Sequence, residues 1–215
     1  MKALLIIAIV GSIVFIFKTP DIVVKHHAYT TYFNPDKMEP DSVSWDLTPE
    51  MLSCGGVIRH DLFAADPQIG NCPDERAYNG TLKAQIYRRG HMFNYDEAKC
   101  NDVDKIECFY MSNMLPQPQS FNAGDWASVE HQERKWAENG KIHVVAGGKG
   151  SLGKLPSGVD VPDSCWKAIY HDHQWDGYIM ANRSTSHGHH LSSHVASFED
   201  FKRRTGFHRQ NILKI

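Results

Sequence analysis

The chain has 215 residues, 41% of them hydrophobic and 22% charged, which is the balance of a globular protein and excludes a disordered one. That length is about one to one and a half domains, enough to bury a sizeable core. The formal net charge is only −2, so no global field draws the chain to a polyanion, and any affinity for phosphate has to come from a local patch.

Residues 3–17 carry no charge and are mostly Leu, Ile, Val and Phe; Lys2 precedes them and Lys18-Thr19-Pro20-Asp21 breaks the run. The run is shorter than the ~20 residues of a spanning helix and long enough for a signal-peptide core. No clear small-x-small cleavage site follows, so a cleaved signal and an uncleaved membrane tether through residues 3–17 both stay open. In either case the chain is expected to be exported: secreted, periplasmic or anchored on the extracytoplasmic side. The expected division is a leader over residues 1–21 and one domain over residues 22–215.

Five cysteines suit that compartment. Cys54–Cys72 and Cys100–Cys108 each close a short polar loop and are the expected bridges, with Cys165 buried and unpaired in an apolar run. No pair has the Cys-x-x-Cys spacing that points to zinc.

Residues 28–33 are β-branched and aromatic, and Asn34-Pro35-Asp36 ends them as a turn. Residues 43–47 alternate apolar and polar, as a half-buried strand does. Residues 48–80 are loop-like, and residues 82–92 read as extended. Residues 106–111 read as another strand, with Asn113 opening the turn after it. Residues 123–138 form the clearest helix, capped by Asn122 and stopped by Asn139-Gly140. Strands are expected over residues 141–146, 164–170 and 176–181. Ser197 caps a last helix that ends at Thr205-Gly206. Strands outnumber helices and connect through short polar turns, so the fold class is α+β with a mostly antiparallel central sheet.

One stretch carries chemistry. Arg88-Arg89-Gly90-His91-Met92 is followed by Ser112-Asn113, then by Asn122, Trp126 and Glu130. An imidazole titrating near ~6.5 takes a proton from water around neutrality, so activity resting on His91 should fall on acidification. Asn122 offers a hard carbonyl oxygen that suits Mg²⁺. Arg88 and Arg89 are suited to gripping phosphate oxygens, and Gly90 lets the backbone turn towards the imidazole's target. Glu130 lies eight residues after Asn122, two helical turns and a little more, so both can face one side.

These residues resemble the DNA/RNA non-specific endonucleases, whose signature reads Asp-Arg-Gly-His, Ser/Thr-Asn-x-x-Pro-Gln and Asn-x-x-x-Trp-x-x-Leu-Glu. Here the parts are 88–91, Ser112-Asn113-Met114-Leu115-Pro116-Gln117, and residues 122–130. Val161-Pro162, Cys165-Trp166-Lys167-Ala168 and residues 177–182 resemble the family's late strands. The resemblance runs from about Ala28 to about Leu213. It implies a central antiparallel sheet with helices on both sides, and a ββα-metal active site in which a helix crosses a β-hairpin. It also implies His91 as the general base, Asn122 as the single protein ligand of Mg²⁺ (with Mn²⁺ as a substitute) and Glu130 holding a metal-bound water. Asn113 would position the base or the phosphate. Arg89, with Arg59 matching an upstream arginine, would stabilise the charged phosphate. DNA and RNA are the implied partners, and no protein partner can be inferred.

Arg88 departs from the signature, which is acidic at that position. An exported protein that keeps the fold with weakened catalysis, binding nucleic acid or metal, is therefore the rival reading. The tract His187-Gly188-His189-His190, with His194, offers imidazoles for a transition metal, but its Ser and Thr flanks read as a loop. Lys202-Arg203-Arg204 and Arg209 read as a solvated face.

Overall fold

The computed structural model describes Thr19 and residues 21–55, 58–184 and 195–207. In the leader, it describes only the backbone of two dipeptide strands, β1 (Ile9–Val10) and β2 (Ile13–Val14), which pair with each other. Apart from Thr19 and Asp21, the rest of the leader, like the histidine tract with His194 and Arg209, lies outside the described residues. Among the described residues no helix is long and apolar enough to cross a membrane.

The centre is a seven-stranded antiparallel sheet. Its strands are β3 (Ile22–Lys25), β4 (Tyr29–Asn34), β5 (Glu39–Leu47), β9 (Ile142–Lys149), β12 (Ser164–His171), β13 (Gln174–Ala181) and β14 (Val195–Ala196). Their order across the sheet is β14-β13-β12-β9-β5-β4-β3. Alternation along each strand decides which side chains go where. On β5, Val43, Trp45 and Leu47 are buried, while Ser42, Ser44 and Asp46 between them are partly exposed. The face holding Trp45, Val144, Cys165 and Met180 packs against Trp126 and against Val129 of the helix α5 (Ala127–Ala137), which Trp126 immediately precedes. On the opposite face, Val145, Trp166 and Ala168 pack against Phe201 of α6 (Phe198–Thr205). Helices therefore cover both sides, as the resemblance implied.

A smaller three-stranded sheet stands beside the large one. It contains β6 (Thr81–Leu82), β7 (Gln85–His91) and β8 (Met114–Pro118), all antiparallel. The strands β10 (Gly153–Lys154) and β11 (Asp160–Val161) form a separate hairpin. The 48–80 stretch is irregular apart from one turn of helix, α1 (Pro49–Leu52), and a bridge between Ala64 and Tyr110. At the far end, Ser197 Oγ accepts from the Asp200 N–H at 3.2 Å, and Gly206 closes α6 with a left-handed φ of 76°.

Three expectations are corrected. Residues 106–111 do not form a strand: α2 (Tyr95–Ala98) and α3 (Asp102–Glu107) precede a 3₁₀ turn at Met111–Asn113. Asn101 caps α3, its Oδ1 accepting from the Val103 and Asp104 N–H groups at 2.8 and 3.2 Å, while Val103 and Ile106 stay exposed. The apolar run was therefore not one buried face. The bridge is Cys54–Cys100, with a Cα separation of 5.4 Å, and Cys72, Cys108 and Cys165 are free. Packing of α1 on α2 brings Cys54 and Cys100 together, whereas Cys108 is part of the main core. Cys165 is buried and unpaired, as expected. Finally, Asn122 is not a helix cap. The helical run starts three residues earlier, with α4 (Gln119–Phe121) following Pro118, and Asn122 has helical backbone angles.

Candidate active site

β7 delivers the histidine. It pairs with β8 so that His91 lies opposite Met114, Arg89 opposite Pro116 and Arg88 opposite Gln117. Side chains alternate along a strand, so Arg89 shares a face with His91 while Arg88 turns to the other face and is exposed. Gly90 serves close approach rather than a turn. A Cβ there would lie 2.1 Å from the Gln117 side-chain oxygen, so only glycine lets the two strands pair at this point.

The strand end is locked from three sides. Trp126 Nε1 donates to the His91 carbonyl at 3.0 Å, tying the helical run to the strand. The Met92 N–H donates to the Asn113 carbonyl at 3.0 Å, and the Phe93 N–H to Asn113 Oδ1 at 2.9 Å. Asn113 Nδ2 donates to the carbonyls of Phe93 and Cys108 at 2.7 and 2.8 Å. Asn113 is fully buried, and its amide is spent on these bonds. These bonds tie Asn113 to the chain that follows His91.

The His91 ring packs against Phe63 and Phe109, with centroids 5.6 and 5.3 Å away, and its Nε2 is buried without a partner. Burial pushes the imidazole down to about 3; the charges of Arg59 and Arg89 add to this, and Asp61 partly offsets it. Burial thus holds the ring neutral across the physiological range, in place of the titration near neutrality that its ordinary value would give.

A π-helical turn, Asn122–Trp126, links α4 to α5. Eight residues of regular α-helix would leave Glu130 about 80° around from Asn122, at roughly 100° per residue. A π turn takes up one extra residue, so the pair is separated by close to two regular turns and shares a face. Asn122 and Glu130 then meet His91, Arg59, Asn94, Tyr95 and Asp96 around a small polar cavity of about 100 Å³.

Glu130's carboxyl is pushed up to about 7, chiefly by burial and further by Glu133; Lys167, Arg134 and a hydrogen bond from Asn94 pull the other way. Beneath it, Lys167 of β12 reaches Glu133 Oε1 at 2.6 Å with both side chains fully buried. The ammonium sits 4.9 Å from the Trp126 ring and 5.4 Å from Trp45. Burial and the adjacent Glu133 hold the Glu97 carboxyl well above the usual carboxylate range.

Arg59 enters the cavity although its place in the sequence pattern was loose. Its Nε donates to Asp61 at 2.6 Å and its guanidinium lies over Tyr95 and Phe109, at 5.5 and 5.3 Å. Arg89 lies 4.3 Å over Phe63 and donates from Nη1 to the Glu75 carbonyl at 2.8 Å. It borders a second cavity, of about 240 Å³, together with Arg88. Lys202, Arg203 and Arg204 pair with Glu199 and Asp200 on α6, across the sheet from this site.

Sequence reasoning missed Asn94, Asp96 and Arg134. Asn94-Tyr95-Asp96-Glu97 is a capping pattern: Asn94 Oδ1 accepts from the Asp96 N–H at 2.9 Å, and Asn94 Nδ2 donates to Glu97 at 3.0 Å. Arg134, one turn past Glu130, has a buried Nη1 with no partner. The cavity's donors are hard oxygens, suited to Mg²⁺ or Mn²⁺, and the orphaned His91 Nε2 opens on the same space. Among the described residues no group of three or more His, Cys, Asp or Glu side chains forms a metal cluster.

Residues 12–213 match the family model described as DNA/RNA non-specific endonuclease. A nuclease of Nostoc sp. is 32% identical over 155 residues, 70% of this chain and 55% of that protein. A nuclease of Serratia marcescens is 29% identical over 162 residues, again 70% of this chain and 59% of that protein. The matches thus span little more than half the length of these relatives. In a solved structure of an EndoG/EndoGI complex, one chain superposes with a TM-score of 0.77 at 24% identity, over 88% of this chain and 86% of that one, a likeness of fold.

Proposed function

Since this chain belongs to the DNA/RNA non-specific endonuclease family, we propose that it hydrolyses phosphodiester bonds of DNA and RNA in the cavity between β7 and the Asn122–Glu130 helix. The observation that carries this reading is a neutral, buried imidazole with an unpartnered nitrogen, sharing one cavity with an amide and a carboxylate.

His91 accepts the proton of the attacking water. In the free protein its proton affinity is low, and the negative phosphate entering the cavity raises it. Asn122 would hold Mg²⁺, or Mn²⁺ in its place, through its amide oxygen, and Glu130 would fix a metal-bound water. The bound ion supplies charge stabilisation at a phosphate oxygen and at the leaving oxygen. Arg59 faces the developing negative charge. Arg89 holds the strand beside His91 and, with exposed Arg88, contributes positive field for the substrate backbone. All these groups address phosphate and none reads a base edge, which supports low sequence preference. Residues 22–215 are the nuclease domain in this reading, and residues 1–21 direct export or tether the chain.

The rival reading, a weakened binding protein, draws on Arg88. Its exposed position on the strand face opposite His91 keeps its charge out of the cavity, which favours intact catalysis. The test is cleavage of plasmid DNA and single-stranded RNA across a Mg²⁺ titration. Wild type should cleave both and Asn122→Ala neither, while replacing His187, His189 and His190 together should leave cleavage unchanged. Loss in the triple variant with retention in Asn122→Ala would place the metal on the histidine tract instead.

A further inference from the structure

The cavity that gathers His91, Asn122 and Glu130 has one more wall. Asp96 lines it from the second position of α2, at the rim, with its side chain exposed. Asn94 fixes where that side chain stands, because its Oδ1 captures the Asp96 N–H and its Nδ2 captures Glu97. The neighbouring acids are engaged: Glu97 with Asn94, Glu133 with Lys167, Asp61 with Arg59. Among the described residues, the Asp96 carboxylate makes no hydrogen bond or ion pair. His91, a residue only 9% exposed, also lines the cavity, and its Nε2 is buried without a partner, a second sign of a ligand.

The electrostatics give Asp96 a task. Arg59 lines the cavity, and Arg134 lies one turn beyond Glu130, close enough to pull its carboxyl down. Two guanidiniums oppose a divalent cation held only by a neutral amide and one carboxylate. We propose that Asp96 is a second metal-site carboxylate, which with Glu130 binds the waters of a hard divalent ion carried by Asn122. The inference rests on the metal-dependent reading above and adds to it a residue from a separate element.

Mn²⁺ binding to the purified full chain, followed by the loss of the free-ion paramagnetic signal, tests this without reference to turnover. Asp96→Asn and Glu130→Gln should each weaken Mn²⁺ binding by ~10-fold or more, the scale for groups that hold a metal's outer shell. Asp96→Glu should recover part of the loss. Glu138→Gln, which removes an exposed carboxylate two turns beyond Glu130, should change nothing and so controls for net charge. The melting temperature of metal-free Asp96→Asn should match wild type, because the carboxylate makes no hydrogen bond or ion pair. If Asp96→Asn binds Mn²⁺ like wild type while Glu130→Gln is weakened, Asp96 has no metal role and the catalytic reading stands. If Asp96→Asn loses affinity together with melting temperature, its role is structural and the inference falls. If wild type binds no Mn²⁺, the inference and the reading beneath it fall together.

Discussion

Lys167→Met should destabilise the protein far more than an ordinary core substitution. The Lys167 ammonium and Glu133 Oε1 are 2.6 Å apart with neither side chain exposed, and Glu133 Oε2 has no other partner. Removing the cation leaves a carboxylate in the core beside Glu97, whose own carboxyl burial and the Glu133 charge already hold well above the usual range. Breaking one side of such a pair typically costs ~3–5 kcal/mol, and a domain of this size loses about 2–4 °C of melting temperature per kcal/mol. A fall of roughly 10 °C is therefore expected. Urea denaturation followed by tryptophan fluorescence would read the free energy through its midpoint, provided the slope is unchanged. The loss should shrink on acidification, since a proton relieves the stranded carboxylate. Lys167→Met with Glu133→Leu should recover most of the stability, because removing both charges leaves nothing unpaired. A single variant as stable as wild type, or a double variant worse than the single, would refute the view that the pair matters by mutual neutralisation.

His91→Ala should keep the fold and lower cleavage by at least ~10²-fold, as measured on plasmid at saturating Mg²⁺. Because burial holds Glu130 up to about 7, its contribution to stability is full below the unfolded value of ~4.5 and lost as pH rises through about 7. Burial holds His91 down to about 3, so its contribution runs the other way, full above the unfolded value of ~6.5 and lost as pH falls towards 3. Thermal melts of the metal-free protein from pH 4 to 8 should therefore differ between wild type and Glu130→Gln, the variant gaining stability more steeply as pH rises, and identical profiles would contradict the assignment. Mass mapping of the unreduced protein should find the single bridge Cys54–Cys100, with Cys72, Cys108 and Cys165 alkylatable after unfolding; reduction should cost ~2–5 kcal/mol. Arg88→Asp should leave the cleavage rate at saturation unchanged and reduce the salt dependence of nucleic-acid binding by roughly one counterion. A rise in saturating rate would instead support the weakened-enzyme reading.

Much of the sheet was legible because alternation along β5 and the apolar runs of β9, β12 and β13 report burial directly. That His91, Asn122 and Glu130 gather in one cavity was legible from their spacing together with the family resemblance. What spacing left unexplained was the excess over two helical turns, which the π turn absorbs. Residues 106–111 misled because the apolar content of Ile106 is exposed, and the helix is set by the Asn101 cap instead. The disulfide was missed because loop length carries no information about α1 packing on α2. Asn94 and Asp96 reach the cavity through tertiary placement of a one-turn helix, which no motif at His91 encodes, although the Asn94–Glu97 capping pattern was there to be read.

The most direct test is a side-by-side assay of wild type and His91→Ala on supercoiled plasmid and single-stranded RNA, with Mg²⁺ and with chelator. Wild type should degrade both substrates only with the metal, and folded His91→Ala should be all but inert. Cleavage that survives either the chelator or the loss of His91 would contradict a metal-dependent site built on that imidazole.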